Sequence, residues 1–298
     1  MITRRTLLRL AAGALVAGAG VAGYGLVGEP LFGLRRTRYA LTPPGWPGGF
    51  KLRLAIIADL HACDPWMRGD RVADIVARTN DLGADCILLL GDYIATHRFQ
   101  TPLPLAEWTR ELGRLRAPLG VHAVLGNHDW WNDVAAMKRG DGLPVVGLAL
   151  QDAGLRLYQN AALRLEKDGR PFWIAGLGDQ IAFVPERGWR SPRYGIDDLP
   201  ATLAQATDAA PLILMAHEPD IFPKVPGRVA LTVSGHTHGG QLNLFGWRPV
   251  VPSRYGQRYA YGHMIEDDRH LVVSAGLGAS VVPMRIGAPP EIVTIDLG

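Results

Sequence analysis

The sequence predicts an α/β protein built on parallel strands. Two observations carry this: short apolar runs alternate with segments of helical spacing, and each apolar run ends in polar residues. "KLRLAIIADLH" (51–61) is an apolar run of strand length. "GDRVADIVARTNDLG" (69–83) places Val72, Ile75 and Val76 on one helical face and closes with Gly83. "DCILLLGD" (85–92) is a second strand, "PLAEWTRELGRLRAP" (104–118) a second helix and "GVHAVLGNHD" (120–129) a third strand. A β-α-β-α-β rhythm implies parallel strands joined by right-handed crossovers. Ligands of such sheets bind outside the carboxyl ends of the strands.

The second half reads differently. "LRLYQNAALRLEKDGRPFWIAGLGD" (155–179) predicts short strands turning at Asp168-Gly169. "PLILMAHEPD" and "VALTVSGHTHGGQ" are apolar runs ending at His217 and at the His236–His238 motif. "HLVVSAGLG" and "PPEIVTIDLG" predict closing strands. Asp179–Gly195 shows no clear period and carries three arginines, as a loop beside a site or a plain surface insertion would.

The N-terminus stands apart. Leu10 to Val27 is an uncharged stretch rich in Ala and Gly, about as long as a thin membrane span. Arg4-Arg5 followed by Thr6-Leu7-Leu8 resembles a twin-arginine export signal, which implies the twin-arginine export machinery as a partner. Ala17-Gly18-Ala19 offers a small-residue cleavage site. Left uncleaved, the run is an anchor, with Arg4, Arg5 and Arg9 on the cytoplasmic side and the body outside. The expected division is therefore a signal or anchor over 1–28, a linker over 29–49 (its "TRYALTPPGWPGG" dense in Pro and Gly) and a domain over 50–298.

Charge follows the same division. Residues 1–50 hold six arginines and one glutamate, +5; the rest carry 25 basic and 27 acidic side chains, −2, against +3 for the whole chain. The body thus lacks the positive excess that holds a long polyanion, and no nucleic-acid partner is expected. Two cysteines make no disulfide framework: Cys86 is expected in a buried strand, and Cys63 to pack near the site without serving it.

Five of the nine histidines, His61, His128, His217, His236 and His238, directly follow apolar runs, in company with Asp59, Asp92 and Asn127. Core histidines do not collect this way. Imidazole, carboxylate and amide without thiolate suit Mn²⁺, Fe or Zn²⁺. The set exceeds one tetrahedral zinc and suits two divalent ions about 3.5–4 Å apart.

Taken together, Asp59-x-His61, Gly91-Asp92, Gly126-Asn127-His128-Asp129, His217 and Gly235-His236-Thr237-His238 resemble the calcineurin-like metallophosphoesterases over about residues 50–298. "HEP", "GHTHGGQ" and Glu29-Pro30 resemble its membrane-associated bacterial branch, some relatives of which cleave the pyrophosphate of UDP-diacylglucosamine. The resemblance implies a four-layer αββα sandwich of two mixed β-sheets flanked by helices. It implies that Asp59, His61 and His238 hold one metal, that Asn127, His217 and His236 hold the other, and that Asp92 bridges both. It further implies hydrolysis of a phosphoester by hydroxide generated between the metals, with His128 facing the scissile phosphate. The substrate class implied is a diester or pyrophosphate in a lipid or nucleotide headgroup, and membrane association goes with it.

Many family members read Gly-Asp-x-x-Asp, the second Asp orienting the catalytic histidine. Here the stretch is "GDYIATH", with Ala95 in that place. Asp129 and Asp133 are the candidates for orienting His128, and Trp130-Trp131 are candidates for the substrate lip or, equally, for core packing. His97, His122, His263 and His270 match no block and are expected at packing or surface positions, His97 being the exception to watch. The competing readings are a broad-specificity phosphomonoesterase or protein phosphatase, and a non-catalytic module using the metals structurally, which only Ala95 favours.

Overall fold

A computed structural model describes residues 3–96, 99–184 and 194–298. His97 and the arginines of the 179–195 stretch lie outside them. In chain order the strands are β1 (Arg35–Leu41), β2 (Leu52–Ile57), β3 (Cys63–Asp64), β4 (Cys86–Leu89), β5 (Thr101–Pro102), β6 (Val121–Ala123) and β7 (Arg156–Leu157). They continue with β8 (Ala161–Lys167), β9 (Arg170–Gly176), β10 (Leu212–Met215), β11 (Val229–Ser234), β12 (Gly262–Glu266), β13 (Arg269–Val273) and β14 (Glu291–Leu297). The α-helices are α1 (Arg4–Gly23), α2 (Glu29–Phe32), α3 (Gly69–Asn80), α4 (Leu105–Leu112), α5 (Asn127–Trp131), α6 (Val134–Arg139), α7 (Val145–Asp152) and α8 (Leu199–Ala204).

Two six-stranded sheets stack face to face. One runs β1-β14-β2-β4-β6-β7, the other β12-β13-β11-β10-β9-β8. Strands β2, β4, β6 and β7 are parallel, as are β9, β10, β11 and β13; β14 pairs antiparallel with β2, and β8 and β12 antiparallel with their neighbours. Both sheets are therefore mixed. The β8–β9 hairpin turns at Asp168-Gly169, both at positive φ (53° and 73°).

The period of two along each strand explains the four layers. In β2, Leu54 and Ile56 face the second sheet and pack with Phe172, Ile174, Ile213, Met215 and Leu231. Their neighbours Ala55 and Ile57 face outward, into a cluster with Val72, Ile75 and Trp108 of α3 and α4. On the second sheet, Leu212 and Leu214 meet Leu199, Ile221 and Phe222. Strands buried on both faces read as continuous apolar runs, which is how β2, β4, β10 and β11 were legible.

Residues 29–49 are more than the linker expected of them. They hold α2 and then β1, which pairs in parallel with β14 from Arg35↔Glu291 to Leu41↔Leu297. As an edge strand, β1 keeps Arg35, Arg36 and Arg38 exposed, so it lacks the apolar run by which the inner strands announce themselves. The N-terminal segment is likewise not wholly separate: α1, a π-helical turn (Tyr24–Gly28) and α2 form one continuous helix, Arg4–Phe32, whose far end packs on the body.

Ile56 is 1% exposed between the sheets. Ile56→Ala should destabilise the fold by about 2–5 kcal/mol, read as a lowered urea midpoint. A loss below about 1 kcal/mol would refute close packing of the layer.

Candidate metal centre

Every sequence-predicted ligand sits just past the carboxyl end of a parallel strand. Asp59 and His61 follow β2, Asp92 follows β4, and Asn127 opens α5 after β6; His217 follows β10, and His236 and His238 follow β11. The first sheet thus supplies Asp59, His61, Asp92 and Asn127, and the second supplies three histidines, at a single junction. All seven are buried.

Their backbone is strained where the sequence must turn them inward. Asp59 (φ 50°), His61 (46°), Asp92 (56°), His236 (69°) and His238 (53°) all lie in the left-handed region. Such a conformation costs roughly 1–2 kcal/mol for a non-glycine residue and persists only where surroundings impose it, often at functional sites. Glycines fill the tightest approaches. A Cβ on Gly235 would fall 2.5 Å from Asp59 Oδ2, and one on Gly126 would fall 2.4 Å from Asp92 Oδ1 and 2.7 Å from His217 Cε1. The turn carrying Asn127 therefore runs against both neighbours.

The donor atoms converge in two groups that share Asp92. Asp59, His61, Asp92 and His238 each bring one atom within 4.8 Å of the others, and Asp92, His217 and His236 do the same. His61 Nε2 lies 3.1 Å from His238 Nε2 and 3.7 Å from Asp92 Oδ2. His217 Nε2 lies 3.2 Å from Asp92 Oδ2 and 3.3 Å from His236 Nδ1. His61 Nδ1 and His217 Nδ1 contact the carbonyls of Ile94 (3.0 Å) and Leu90 (2.6 Å). A carbonyl only accepts, so each Nδ1 carries a proton and each ring turns its Nε2 edge to the cluster. Asp59 Oδ2 and both amide atoms of Asn127 are buried with no hydrogen-bond partner among the described residues. Lone pairs facing one another and orphaned oxygens fit a pair of divalent cations, and a carbonyl-anchored histidine is how metal sites fix their ligands.

The electrostatics agree. Burial, reinforced by Asp92, raises Asp59 to about 7 against the opposing charge of His217. Burial would raise Asp92 as well, but His217 and His128 override it and hold this carboxylate well below its ordinary range. Burial lowers His61 to about 3 and also lowers His236 and His238. Burial opposes charge on His217, yet Asp92 outweighs it and raises that imidazole. The cluster thus holds its acidity unevenly around the shared aspartate, as closely spaced titrating groups do.

His128 stands beside the cluster, its backbone N–H donating to Asp92 Oδ1 (2.8 Å) and its ring edge-on to His61 at 5.1 Å. The expected orienting residues serve other ends. Asp129, raised to about 7 by burial, accepts from the N–H groups of Asp92, Tyr93 and Gly126 and so fixes the loops that carry the ligands. Asp133 accepts from Ala136 and Val145 N–H and caps α6. The group at His128 Nδ1 is the Thr96 hydroxyl, 2.6 Å away, and the Ser280 hydroxyl lies 3.2 Å from Nε2. Thr96 follows Ala95 directly, so the missing carboxylate is answered one position later. The two tryptophans part company because adjacent helical residues point about 100° apart. Trp130 is 1% exposed and packs on Phe183, which removes it from the substrate lip. Trp131 lies edge-on to His128 at 5.1 Å, its indole N–H donating to the Ile181 carbonyl.

Other residues joined the site unannounced. Arg285, fully buried and lowered to about 10 by burial, donates to the carbonyls of Ala275, Gly278 and Ala288 and reaches within 3.3 Å of His238 Nδ1. Asp179 and Glu218, both buried, lie beside His217. Burial, then the nearby Glu218, raises Asp179 well above its ordinary range. Glu218 lies in the "HEP" stretch and Asp179 opens the 179–195 stretch, but neither stretch assigns it a role, and no local pattern marks Arg285. The unmatched histidines pack as expected where described: His122 between Tyr158 Oη and the Leu119 carbonyl, and His263 against His270 across β12 and β13. Cys63 and Cys86 are free and buried, and neither belongs to a ligand group.

A cation entering this cluster must displace protons. Asp59 at about 7 and the raised His217 are both protonated at pH 6 in the metal-free protein. Mn²⁺ binding at pH 6 should therefore release protons, and its affinity should weaken as pH falls from 7 to 5. Titration calorimetry in buffers of different ionisation enthalpy reads this directly; buffer-independent heats would contradict it.

Comparison with known proteins agrees with this geometry. The family model for calcineurin-like phosphoesterases matches residues 52–240. The chain is 31% identical to an uncharacterized metallophosphoesterase, YkuE, of Bacillus subtilis over 264 residues, covering 87% of this chain and 82% of that one. It is 28% identical to the phosphodiesterase YaeI of Escherichia coli over 304 residues, covering 100% of both. A transmembrane protein with a metallophosphoesterase domain from Danio rerio is 26% identical over 253 residues, 83% of this chain but only 53% of that protein. Matched from β2 through the last of its clustered histidines, the chain belongs to the calcineurin-like phosphoesterase family and is a hydrolase.

Proposed function

We propose that this hydrolase is a two-metal phosphodiesterase or pyrophosphatase, acting on a lipid or nucleotide headgroup from a membrane anchor. The observation that carries the reading is the double donor cluster sharing Asp92, with His128 at its edge held between Thr96 and Ser280. Asp59, His61 and His238 would hold one ion and Asn127, His217 and His236 the other, with Asp92 common to both. Two such ions lower the pKa of a bound water and neutralise phosphate oxygens.

The chain's own residues supply the rest. With Thr96 at Nδ1, the Nε2 edge of His128 faces the Ser280 side of the cluster, where it can donate to a phosphate oxygen or to the departing oxygen. Trp131 walls His128 on one side and offers an amphipathic ring to an uncharged part of the substrate. The diester preference has support in the kinship with a named phosphodiesterase. The membrane setting has support in the continuous apolar helix Arg4–Phe32 and in a relative named as transmembrane. The arginines at the start of that helix, Arg4, Arg5 and Arg9, favour a body outside the cytoplasm, delivered by the twin-arginine route.

Three substitutions test this on Mn²⁺-loaded protein with bis(p-nitrophenyl) phosphate. His128→Asn should lower kcat by about 10²–10⁴ while metal content stays at the wild-type level. Asp92→Asn should lose metal and turnover together. Thr96→Val should lower kcat by roughly 10–100-fold with metal retained, as loss of an orienting partner does. Wild-type turnover in both the His128 and the Asp92 variants would sink the enzymatic reading of the cluster. A preference for p-nitrophenyl phosphate over the diester would replace the diesterase reading with a monoesterase.

A further inference from the structure

The far end of the N-terminal helix is built into the loops around the metal cluster. Gly25 carbonyl accepts from Arg285 N–H (2.9 Å), and Leu26 carbonyl accepts from the Trp66 indole (2.8 Å). Pro30 carbonyl accepts from the Arg71 guanidinium. Glu29, 4% exposed, accepts from the N–H groups of Gly287 (2.9 Å) and Ala288 (2.7 Å). Arg285 in turn reaches His238. A Cβ on Gly25 would fall 2.9 Å from the Ile286 side chain, so helix and loop touch with nothing between them. The chain leaves the helical span, therefore, among the loops that surround the metal cluster.

Two exposed apolar loops lie beside that exit. One is the hairpin tip closed by Leu244 and Trp247, with Phe245 fully exposed, Trp247 62% exposed and Val250 71% exposed. It is tied to the exit by the Asn243 N–H donating to the Ile286 carbonyl (2.8 Å). The other carries Val281, 77% exposed, and Val282. It follows Ser280, the residue 3.2 Å from His128 Nε2. Gln241 joins the two, donating to the carbonyls of Val282 (3.0 Å) and Met284 (3.2 Å) and accepting from Ser280 N–H. Between this hairpin and β1 opens a cavity of about 270 Å³, lined by Arg35, Arg248 and Tyr261 among others. Exposed aromatic and aliphatic side chains rimmed by arginine make a surface for an anionic bilayer rather than for water.

Given the anchored hydrolase proposed above, we infer that the mouth of the metal site lies against the bilayer surface. Phe245, Trp247, Val250, Val281 and Val282 dip into the interface, and the scissile phosphate is presented by a lipid in the same membrane. Continuity decides the occupant. The patch adjoins the end of the continuous helix Arg4–Phe32, whose uncharged stretch Leu10–Val27 rises about 27 Å against a bilayer core about 30 Å thick. A helix inserted to its end brings the neighbouring loops to the interface.

The test uses the full chain reconstituted in equimolar phosphatidylglycerol–phosphatidylcholine vesicles, with the Trp247→Phe variant as the fluorescence background. Lipids brominated on the upper acyl chain should quench the Trp247 emission, and aqueous iodide should not. Phe245→Ser/Val250→Ser should keep its melting temperature and its rate on bis(p-nitrophenyl) phosphate. It should lose about tenfold or more on a vesicle-borne lipid phosphodiester, as apolar side chains leave the interface. Trp247 quenched by iodide and spared by bromolipid would overturn the inference and leave the hydrolase intact. Protection from both quenchers would point to a protein partner and overturn it equally. Bromolipid quenching in a protein that cleaves no ester would uphold the surface and remove the hydrolase.

Discussion

The structure depends on one electrostatic constraint: buried carboxylate, amide and imidazole groups must meet at one point between two sheets without being solvated. Burying polar groups unpaired costs free energy, and here many are aimed at one another instead of at partners. The fold tolerates this by surrounding the point with groups that are satisfied. Asp129 ties three backbone amides, the carbonyls of Leu90 and Ile94 orient two rings, and Arg285 ties three carbonyls. Left-handed backbone at five of the ligands is the local expense of this arrangement, and the apolar layers on either side carry it. Two cations would convert the same crowding into coordination, so the metal-free protein is strained where the loaded protein should be most rigid.

What the sequence revealed follows from how each feature is encoded. The inner strands and their polar ends are local patterns, so the residues that the fold gathers at those ends, Asp59, His61, Asp92, Asn127, His217, His236 and His238, with His128 beside them, could be picked out singly. β1 could not, because an edge strand rich in arginine gives no apolar run. The role of Thr96 was hidden by looking for a carboxylate where a hydroxyl suffices. Trp130 and Trp131 could not be told apart until the start of α5 fixed which of them points inward. Glu29 was legible only as half of a Glu29-Pro30 pair, because its partners lie 258 and 259 residues away, and nothing near Arg285 announces its contact with His238, 47 residues before it.

The two sheets contribute unequally to the chemistry. Of the seven clustered residues, the first supplies both carboxylates, the amide and one imidazole, and the second supplies three imidazoles. Both aspartates of the cluster therefore sit on one layer, while Asp179 and Glu218 add carboxylates beside His217 on the other. Sliding one sheet over the other would open both cation positions at once. Core packing between the sheets and metal affinity should thus rise and fall together.

The pairing of β1 with β14 also sets an order of assembly. These strands are neighbours in the sheet, yet the contacts that join this region to the helix, from Glu29 to Gly287 and Ala288, bridge 258 and 259 residues of chain. During synthesis the apolar helix emerges before the body, but the surface it rests on exists only once β14 has been made. Contacts of such high sequence separation form late, after the entropy of closing a long loop has been met. The parallel core of β2, β4 and β6 can condense beforehand, leaving the helix free. Its seating against the loops around the metal cluster must therefore wait for the C-terminal end of the chain.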